Sequence, residues 1–393
     1  MKTIYLDNGA TTPMDKKVIE AMEPYFDKKF GNSSSSHHLG QEAKIAMEDS
    51  RKVIASSINA KPEEIVFTSG GTESNNFAIK GIAFANKNKG NHIITTKIEH
   101  KCVLNSCKWL ETQGFKVTYL DVDKEGFVNP DDLEKAITEK TILVSVIHGN
   151  NEIGTIQDIK KLGDVCRKYN VYFHIDACQS YTKTDIDVKK QNLDLITLNA
   201  HKIHGPKGVG VLYIKKGTKI ETWQHGGGHE FNMRSGTENI AGIVGFAEAV
   251  KLASNKKHIE YMAQLRDKLI EGVLKIPETK LNGAKGAQRL CNNANFSFKG
   301  VEGEAIGGYL DQKGICSSTG SACSEMSLEP SYVLQAIGLD HQEANGSLRL
   351  TLSRFTTEEE IKTALDVLPD IIKKLRGMSP LGGFIKNVFK RNN

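Results

Sequence analysis

The chain has 393 residues, 39% hydrophobic and 25% charged, enough for a large core and for two domains. Its 52 basic and 47 acidic residues leave a net charge of +5, too mild an excess to argue for nucleic acid. The N-terminus has no signal-peptide core and no apolar run reaches membrane-spanning length, so a cytoplasmic protein with no direct nucleic-acid or membrane contact is expected. Seven cysteines, with no pair spaced C-x-x-C, argue against a disulfide framework and a cysteine zinc site and leave room for a reactive thiol.

In chain order, Leu6–Pro13 is turn chemistry that leads into a helix carrying Val18, Ile19, Met22 and Phe26 at helical spacing. A polar loop, residues 30–38, precedes a longer helix with Ala43, Ala46, Met47, Ile54 and Ile58 on one face and Lys44, Glu48, Arg51 and Lys52 elsewhere. From residue 64 strand-like runs alternate with helical patterns: 65–68, 92–95, 116–120, 141–147, 172–175, 195–198 and 209–214. This pattern predicts an α/β fold whose sheet is mainly parallel and covered by helices. After about residue 263 the texture changes to a smaller α+β set, with strands at 295–298 and 347–352 and helices at 264–274, 303–312 and 357–375. The expected division is a large domain of residues 16–262 and a small one built from residues 1–15 and 263–393. The basic tail, 384–390, reads as a surface segment packed on its own domain.

Two strand ends carry the sharpest chemistry. One apolar run ends in Asp176 and the next in Asn199-Ala200-His201-Lys202. Open α/β sheets place ligands at such ends. A lysine amine and an acid together suit pyridoxal phosphate, whose aldehyde bonds an amine and whose ring nitrogen needs a carboxylate. Residues 65–76 read as a strand, a glycine turn at Gly70-Gly71 and a helix start at Thr72, which either binds a phosphate or is a plain turn between strand and helix. No Gly-Lys-Ser/Thr triplet occurs, so a P-loop is excluded.

His100, just past a strand, has the chemistry to lie on a ring and shuttle protons. Residues 148–154 (HGNNEIG) either bind a carboxylate or close a turn. The sequence His225-Gly-Gly-Gly-His229 disfavours a helix, so no metal site is expected there, only a loop leading to the donors Arg234–Thr237. Cys323 lies in a run of small residues, 317–324, with no apolar neighbour to bury it, which fits a reactive thiol; Cys316 fits a buried one. Arg349 and Arg354 flank a strand, and either has the fork for a substrate carboxylate or for a surface ion pair.

Together these pieces resemble the NifS/IscS-type cysteine desulfurases, fold-type-I pyridoxal phosphate enzymes of the class V aminotransferase family. The motifs run nearly end to end: LDNGATT, FGNSSSSH, TSGGTESNN, NNEIG, DACQS, HKIHGPKG, GGGHE, RSGT, SSTGSACS and SRFTTEEEI. The resemblance implies an aspartate-aminotransferase-like large domain with a seven-stranded sheet and a smaller domain carrying the catalytic-cysteine loop. It implies that Lys202 forms the internal aldimine, Asp176 pairs with the pyridine nitrogen, Gln179 meets the ring hydroxyl and His100 stacks and acts in acid–base steps. Gly71, Thr72 and His201 would hold the phosphate, with Thr237 reaching over from a second subunit of a homodimer. Asn151 and Arg354 would bind the carboxylate of L-cysteine. Cys323 would take the sulfur as a persulfide, L-alanine would leave, and an acceptor such as an iron–sulfur scaffold or a tRNA-thiolation enzyme would receive the sulfur.

No resident metal is expected, although Cys323 is a conceivable transient iron–sulfur ligand. The chain departs from the family pattern at Asn199-Ala200, where Ser-Gly is usual, so a phosphate contact there must come from an amide or be lost. It also departs at Gly9, Ser33 and Cys178. Two other readings stay open: a selenocysteine lyase or aminotransferase of the same fold, and a largely non-catalytic sulfur-delivery scaffold.

Overall fold

The structure, a computed structural model, describes residues 3–320 and 330–378. Cys323 and the basic tail, both singled out above, lie outside these residues. Twelve strands are present among them: β1 (Ile4–Tyr5), β2 (Ile65–Thr68), β3 (His92–Thr96), β4 (Lys116–Leu120), β5 (Thr141–Ile147), β6 (Tyr172–Asp176), β7 (Leu195–Asn199), β8 (Gly210–Ile214), β9 (Thr279–Leu281), β10 (Asn293–Phe298), β11 (Ile315–Cys316) and β12 (Ser347–Thr351).

Seven of them form one sheet in the order β2-β8-β7-β6-β5-β3-β4. All neighbours pair in parallel except β8, which runs antiparallel to both β2 and β7. Its inner strands read as apolar runs because both faces are covered, and every residue of β5 is buried, whereas the edge strand β4 is mixed and only partly buried. One face packs a core that includes Ile54, Phe67, Val144, Ile175 and Phe246. The other packs Phe77, Ile82, Ile93, Leu143 and Leu212. The expected α/β class and seven-stranded, mainly parallel sheet are therefore those of the molecule.

A separate three-stranded antiparallel sheet, β12-β10-β9, has its own core of Phe296, Leu348, Leu350, Leu269 and Leu368. The N-terminal strand joins this region: β1 pairs with β11, and Ile4 and Leu6 are buried there.

Four helices matter below: α1 (Lys16–Met22), α2 (Pro24–Asp27), α3 (His38–Ser57) and α4 (Gly71–Asn86). The single helix expected near residue 18 is two. Pro24 begins a new one, since proline lacks the N–H that would continue the first, and Ile19 and Phe26 are exposed. Arg51 also differs from expectation. It is buried, not a surface charge, because it forms a two-pronged ion pair with Glu230 (2.8 and 2.8 Å) and lies over the rings of Phe67 and Phe231. Cys316 is half-buried rather than buried.

Candidate active site

Registers along the sheet bring the functional strand ends together. Ile147 pairs with Asp176, Asp176 with Thr197, and Asn199 with Gly210, which also faces Thr68. The reversal from β7 to β8 confines residues 200–209 to a turn over this edge, and Lys202 sits in that turn.

The glycine turn after β2 is shaped by close approach. Gly70, capping α4, has φ 153°, a conformation that favours glycine. A Cβ on Gly71 would stand 2.6 Å from Cys178 Sγ and 3.6 Å from Asn199 Nδ2. The helix geometry leaves the first amides of α4 without helical partners and with the positive end of the dipole, a cradle for an anion. Asn199 brings its side-chain amide to this place, and its Oδ1 has no hydrogen-bond partner.

A hydrogen-bonded chain joins Asp176 to His100. Asn75, from α4, donates to Asp176 Oδ2 (2.7 Å) and contacts Cys102 Sγ (3.1 Å), and that sulfur is 3.0 Å from His100 Nδ1. The amide of Cys178 donates to Asp176 Oδ1 (2.9 Å). His100 caps α5 (Lys101–Thr112) by accepting from the Cys102 amide at Nδ1 (3.2 Å), which leaves Nε2 to carry the proton. Burial holds the imidazole below its usual pKa, the charge of Lys202 lowers it further, and Asp176 opposes both. Burial also pushes the Cys102 thiol up to about 12, so it is a neutral spacer, not a nucleophile.

The N-terminal segment closes the site. Gln179 Nε2 donates to Gly9 O (2.8 Å), Thr12 Oγ1 donates to His201 O (2.7 Å), and Thr11 Oγ1 is 3.2 Å from His201 Nδ1. Burial, reinforced by the charges of Lys202, Lys207 and Lys183, takes His201 down to about 4, so it is neutral at pH 7. Lys202 lines a cavity of about 30 Å³ together with Asn8, Lys183, His204 and Arg354.

The substrate-side candidates separate. Asn150 closes a turn by accepting from the amides of Glu152 and Ile153 (2.9 and 3.0 Å). Asn151 is buried with Oδ1 unpartnered, while its carbonyl accepts from Arg349 (3.0 Å), which also pairs with Asp7 (3.0 Å). Arg349 is thus a pin, and Arg354 is the arginine at the cavity. Arg354 Nη2 donates to Asp15 at 2.5 Å. Burial raises the Asp15 carboxyl, but bonds from Arg354 and the Lys17 amide outweigh it and leave its pKa below the ordinary value.

Thr237 is exposed, with no side-chain hydrogen bond to the other candidates among the described residues. Its segment is fastened to the first turn of α4, where Arg234 pairs with Glu73 (2.8 and 3.2 Å).

These residues fit a phosphorylated pyridine aldehyde. The cradle at Gly71, the unpartnered amide oxygens of Asn151 and Asn199, the carboxylate of Asp176 and the amine of Lys202 are the donors and acceptors that such a group needs. Sequence reasoning missed Asn75, Thr11, Thr12 and Lys183. Asn75 had a weak signal, one turn past Gly71 in the polar run Thr72–Asn76 that opens the helix.

The profile of the family described as Aminotransferase class-V matches residues 4–364. A curated relative from Methanosarcina thermophila, "Cysteine desulfurase IscS", is 53% identical over 382 residues, covering 97% of this chain and 94% of that one. Among solved structures, one titled "NIFS-LIKE PROTEIN" superposes with TM-score 0.90 at 38% identity, covering 95% of this chain and 100% of that one. Another, "SspA in complex with cysteine", gives TM-score 0.82 at 38% identity, covering 90% and 100%.

Proposed function

The chain belongs to the class-V aminotransferase family, and on that premise we propose that it is a pyridoxal phosphate-dependent cysteine desulfurase. It removes sulfur from L-cysteine and releases L-alanine. The observation that carries this reading is the meeting of Lys202 and Asp176, which follow the neighbouring strands β7 and β6, with His100, which Asn75 and Cys102 link to Asp176.

Pyridoxal phosphate, when bound, supplies a carbonyl carbon for amines and a conjugated ring that accepts electrons from the substrate's α carbon. Gly71, Thr72 and His201 hold its phosphate, and the Asn199 amide takes the place of a hydroxyl there. Asp176 presents a carboxylate to the ring nitrogen, Gln179 faces the ring hydroxyl and Lys202 is the bonding amine. Lys202 Nζ and His100 Nε2 take and return protons at the substrate's α carbon. Asn151 and Arg354 orient the substrate carboxylate, Arg354 exchanging its Asp15 partner for it.

The Cys323 thiolate attacks the substrate sulfur. A sulfur–sulfur bond forms, the carbon–sulfur bond breaks with its electron pair on carbon, and protonation there completes L-alanine. The persulfide then passes to an acceptor protein such as an iron–sulfur scaffold or a tRNA-thiolation enzyme.

We also propose a cytoplasmic homodimer in which Thr237 completes the partner's phosphate site. The exposure of Thr237 supports this. No helix among the described residues is long and apolar enough to cross a membrane. The proposed division at residues 16–262 against 1–15 and 263–393 is supported by one core that runs from Val18 to Val250 and another that joins Ile4 and Leu6 to Leu265 and later residues, with the helix Lys256–Val273 spanning the boundary. Product analysis after incubation with pyridoxal phosphate and L-cysteine tests the reaction class: alanine is expected, and a keto acid as the main product would instead make the chain an aminotransferase.

A further inference from the structure

Cys323 lies in the chain between Gly320 and Ser331, and these two residues meet at one buried carboxyl group. Glu152, in the turn after β5, is 1% exposed. Its side chain makes one hydrogen bond among the described residues: Oε2 accepts from Ser331 Oγ at 2.5 Å. The same oxygen lies against Gly320, where a Cβ would stand 3.3 Å from it and 3.8 Å from Ser331 Cβ.

The surroundings of this meeting point are well tied. Before it, Ser318 and Arg349 pair through their backbones in both directions (3.2 and 2.6 Å), and Ser347 Oγ donates to Thr319 O (2.7 Å). After it, Ser331 Oγ also accepts from the Leu334 amide (3.2 Å), capping the helix Tyr332–Ala336, and the Tyr332 hydroxyl donates to Glu99 O (2.6 Å). The Glu152 backbone is fixed as well: its amide donates to Asn150 Oδ1 (2.9 Å) and its carbonyl accepts from Asn293 (3.1 Å). The neighbours of these anchors are candidates for the reaction itself, since Asn151 precedes Glu152 and His100 follows Glu99. Burial raises the Glu152 carboxyl above its ordinary pKa, against the Ser331 bond and the charges of Arg349 and Lys101. A carboxyl group kept from water costs free energy that an apolar side chain would not, so packing alone does not account for Glu152.

We propose that Glu152 is a positioning residue for Cys323. Its carboxyl group fastens the chain end that follows Cys323 and seats the end that precedes it on the turn carrying Asn151. Both tethers of the sulfur nucleophile therefore start beside the place of the substrate carboxylate. Holding reacting groups at a set separation raises the rate of their reaction, and a shifted tether lowers that rate without weakening substrate binding. This inference rests on the desulfurase reading above.

The test uses the full-length enzyme loaded with pyridoxal phosphate, in single turnovers with L-cysteine. Two signals are followed: the response of the visible band to L-cysteine, and sulfur bound at Cys323. Glu152→Ala is expected to slow bound-sulfur formation about tenfold, with the amplitude and L-cysteine dependence of the band response unchanged. Glu152→Gln keeps an oxygen for Ser331 and should restore most of the rate. Hydrogen exchange, read without cofactor, should quicken at residues 318–320 and 331–336 in Glu152→Ala. Equal sulfur rates in wild type and Glu152→Ala overturn the proposal, as does unchanged exchange or a Glu152→Gln enzyme as slow as Glu152→Ala. A band response weakened as much as the sulfur rate also overturns it, because Glu152 would then serve substrate binding. If Glu152→Ala does not fold, Ser331→Ala removes the same bond from the half-buried partner; slower sulfur transfer is expected there too, and an unchanged rate overturns the proposal. A wild type that binds no sulfur at Cys323 contradicts the desulfurase reading instead, which separates the two failures.

Discussion

Asn75 Nδ2 donates to Asp176 Oδ2 at 2.7 Å, so the first helix after the glycine turn holds the carboxylate at the end of β6. Both residues are buried, and a hydrogen bond to a charged, buried group contributes more than a neutral one. Replacing Asn75 by Ala should lower kcat/KM for alanine formation roughly 10- to 100-fold, from the ~1.5–3 kcal/mol of such a bond. Replacing Asp176 by Asn should cost more, since it removes the charge itself. Steady-state alanine release from L-cysteine checks both. An Asn75→Ala enzyme as fast as wild type would mean that the bond does not matter to the reaction.

The 2.6 Å approach between a Cβ at residue 71 and Cys178 Sγ makes a second pair testable. Gly71→Ala should weaken pyridoxal phosphate binding by about tenfold or more, because either the sulfur or the first turn of α4 must shift. Cys178→Ala removes the obstructing atom. In the double variant the loss should therefore be smaller than in Gly71→Ala alone, a coupling that fluorescence titration of the apoenzyme reads directly.

Glu99 gives a pH signature. It is fully buried, with Thr96 Oγ1 and the Ile147 amide both donating to Oε1 (2.7 and 2.7 Å). Burial pushes its pKa up to about 8, against these bonds and with a further push from Asp176. The folded state therefore holds a proton that the unfolded chain releases at its lower, ordinary pKa. This contribution to stability is complete below about pH 4.5 and is lost as pH rises to about 8. Glu99→Gln mimics the protonated form and should lack that part of the slope. The difference at the upper end is on the order of a few kcal/mol, and urea unfolding at pH 5 and pH 8 measures it. Parallel pH dependences in the two proteins would place the proton elsewhere.

Arg354 is held by Asp15 at 2.5 Å and stacks on Phe355 with 4.8 Å between guanidinium carbon and ring centre. Arg354→Ala should raise KM for L-cysteine about 10- to 100-fold while leaving the visible spectrum of the loaded enzyme unchanged. Arg354→Lys should recover only part of this, since an ammonium cannot make the two-pronged bond. An unchanged KM would return Asn151 or another group to the role.

Lys202 and Asp176 were legible in the sequence because apolar strands stop at them, and a functional group at a strand end is a local pattern. Most of the seven-stranded sheet was legible for the same reason: strands such as β2, β5 and β8 are apolar runs bounded by turn residues, whereas the edge strand β4 is mixed and largely unburied. Contacts across long separations were not. Arg51 carries the spacing of a surface charge on α3, and only its partner Glu230, 179 residues away, explains its burial. β1 and β11 have two residues each, too few for any periodicity. Lys183 follows Asp176 by seven positions in a segment of turns, with no pattern to mark it; its direction is set by the backbone at Thr182.

The central claim is that an amine at Lys202 and a sulfur nucleophile at Cys323 serve one reaction. A single-turnover mixture of loaded enzyme and L-cysteine, quenched and assayed for alanine and for sulfur bound at Cys323, tests it. The account predicts one alanine per bound sulfur in wild type. In Cys323→Ala it predicts neither product, although the spectrum still responds to L-cysteine. Alanine formed by Cys323→Ala at the wild-type rate would contradict it.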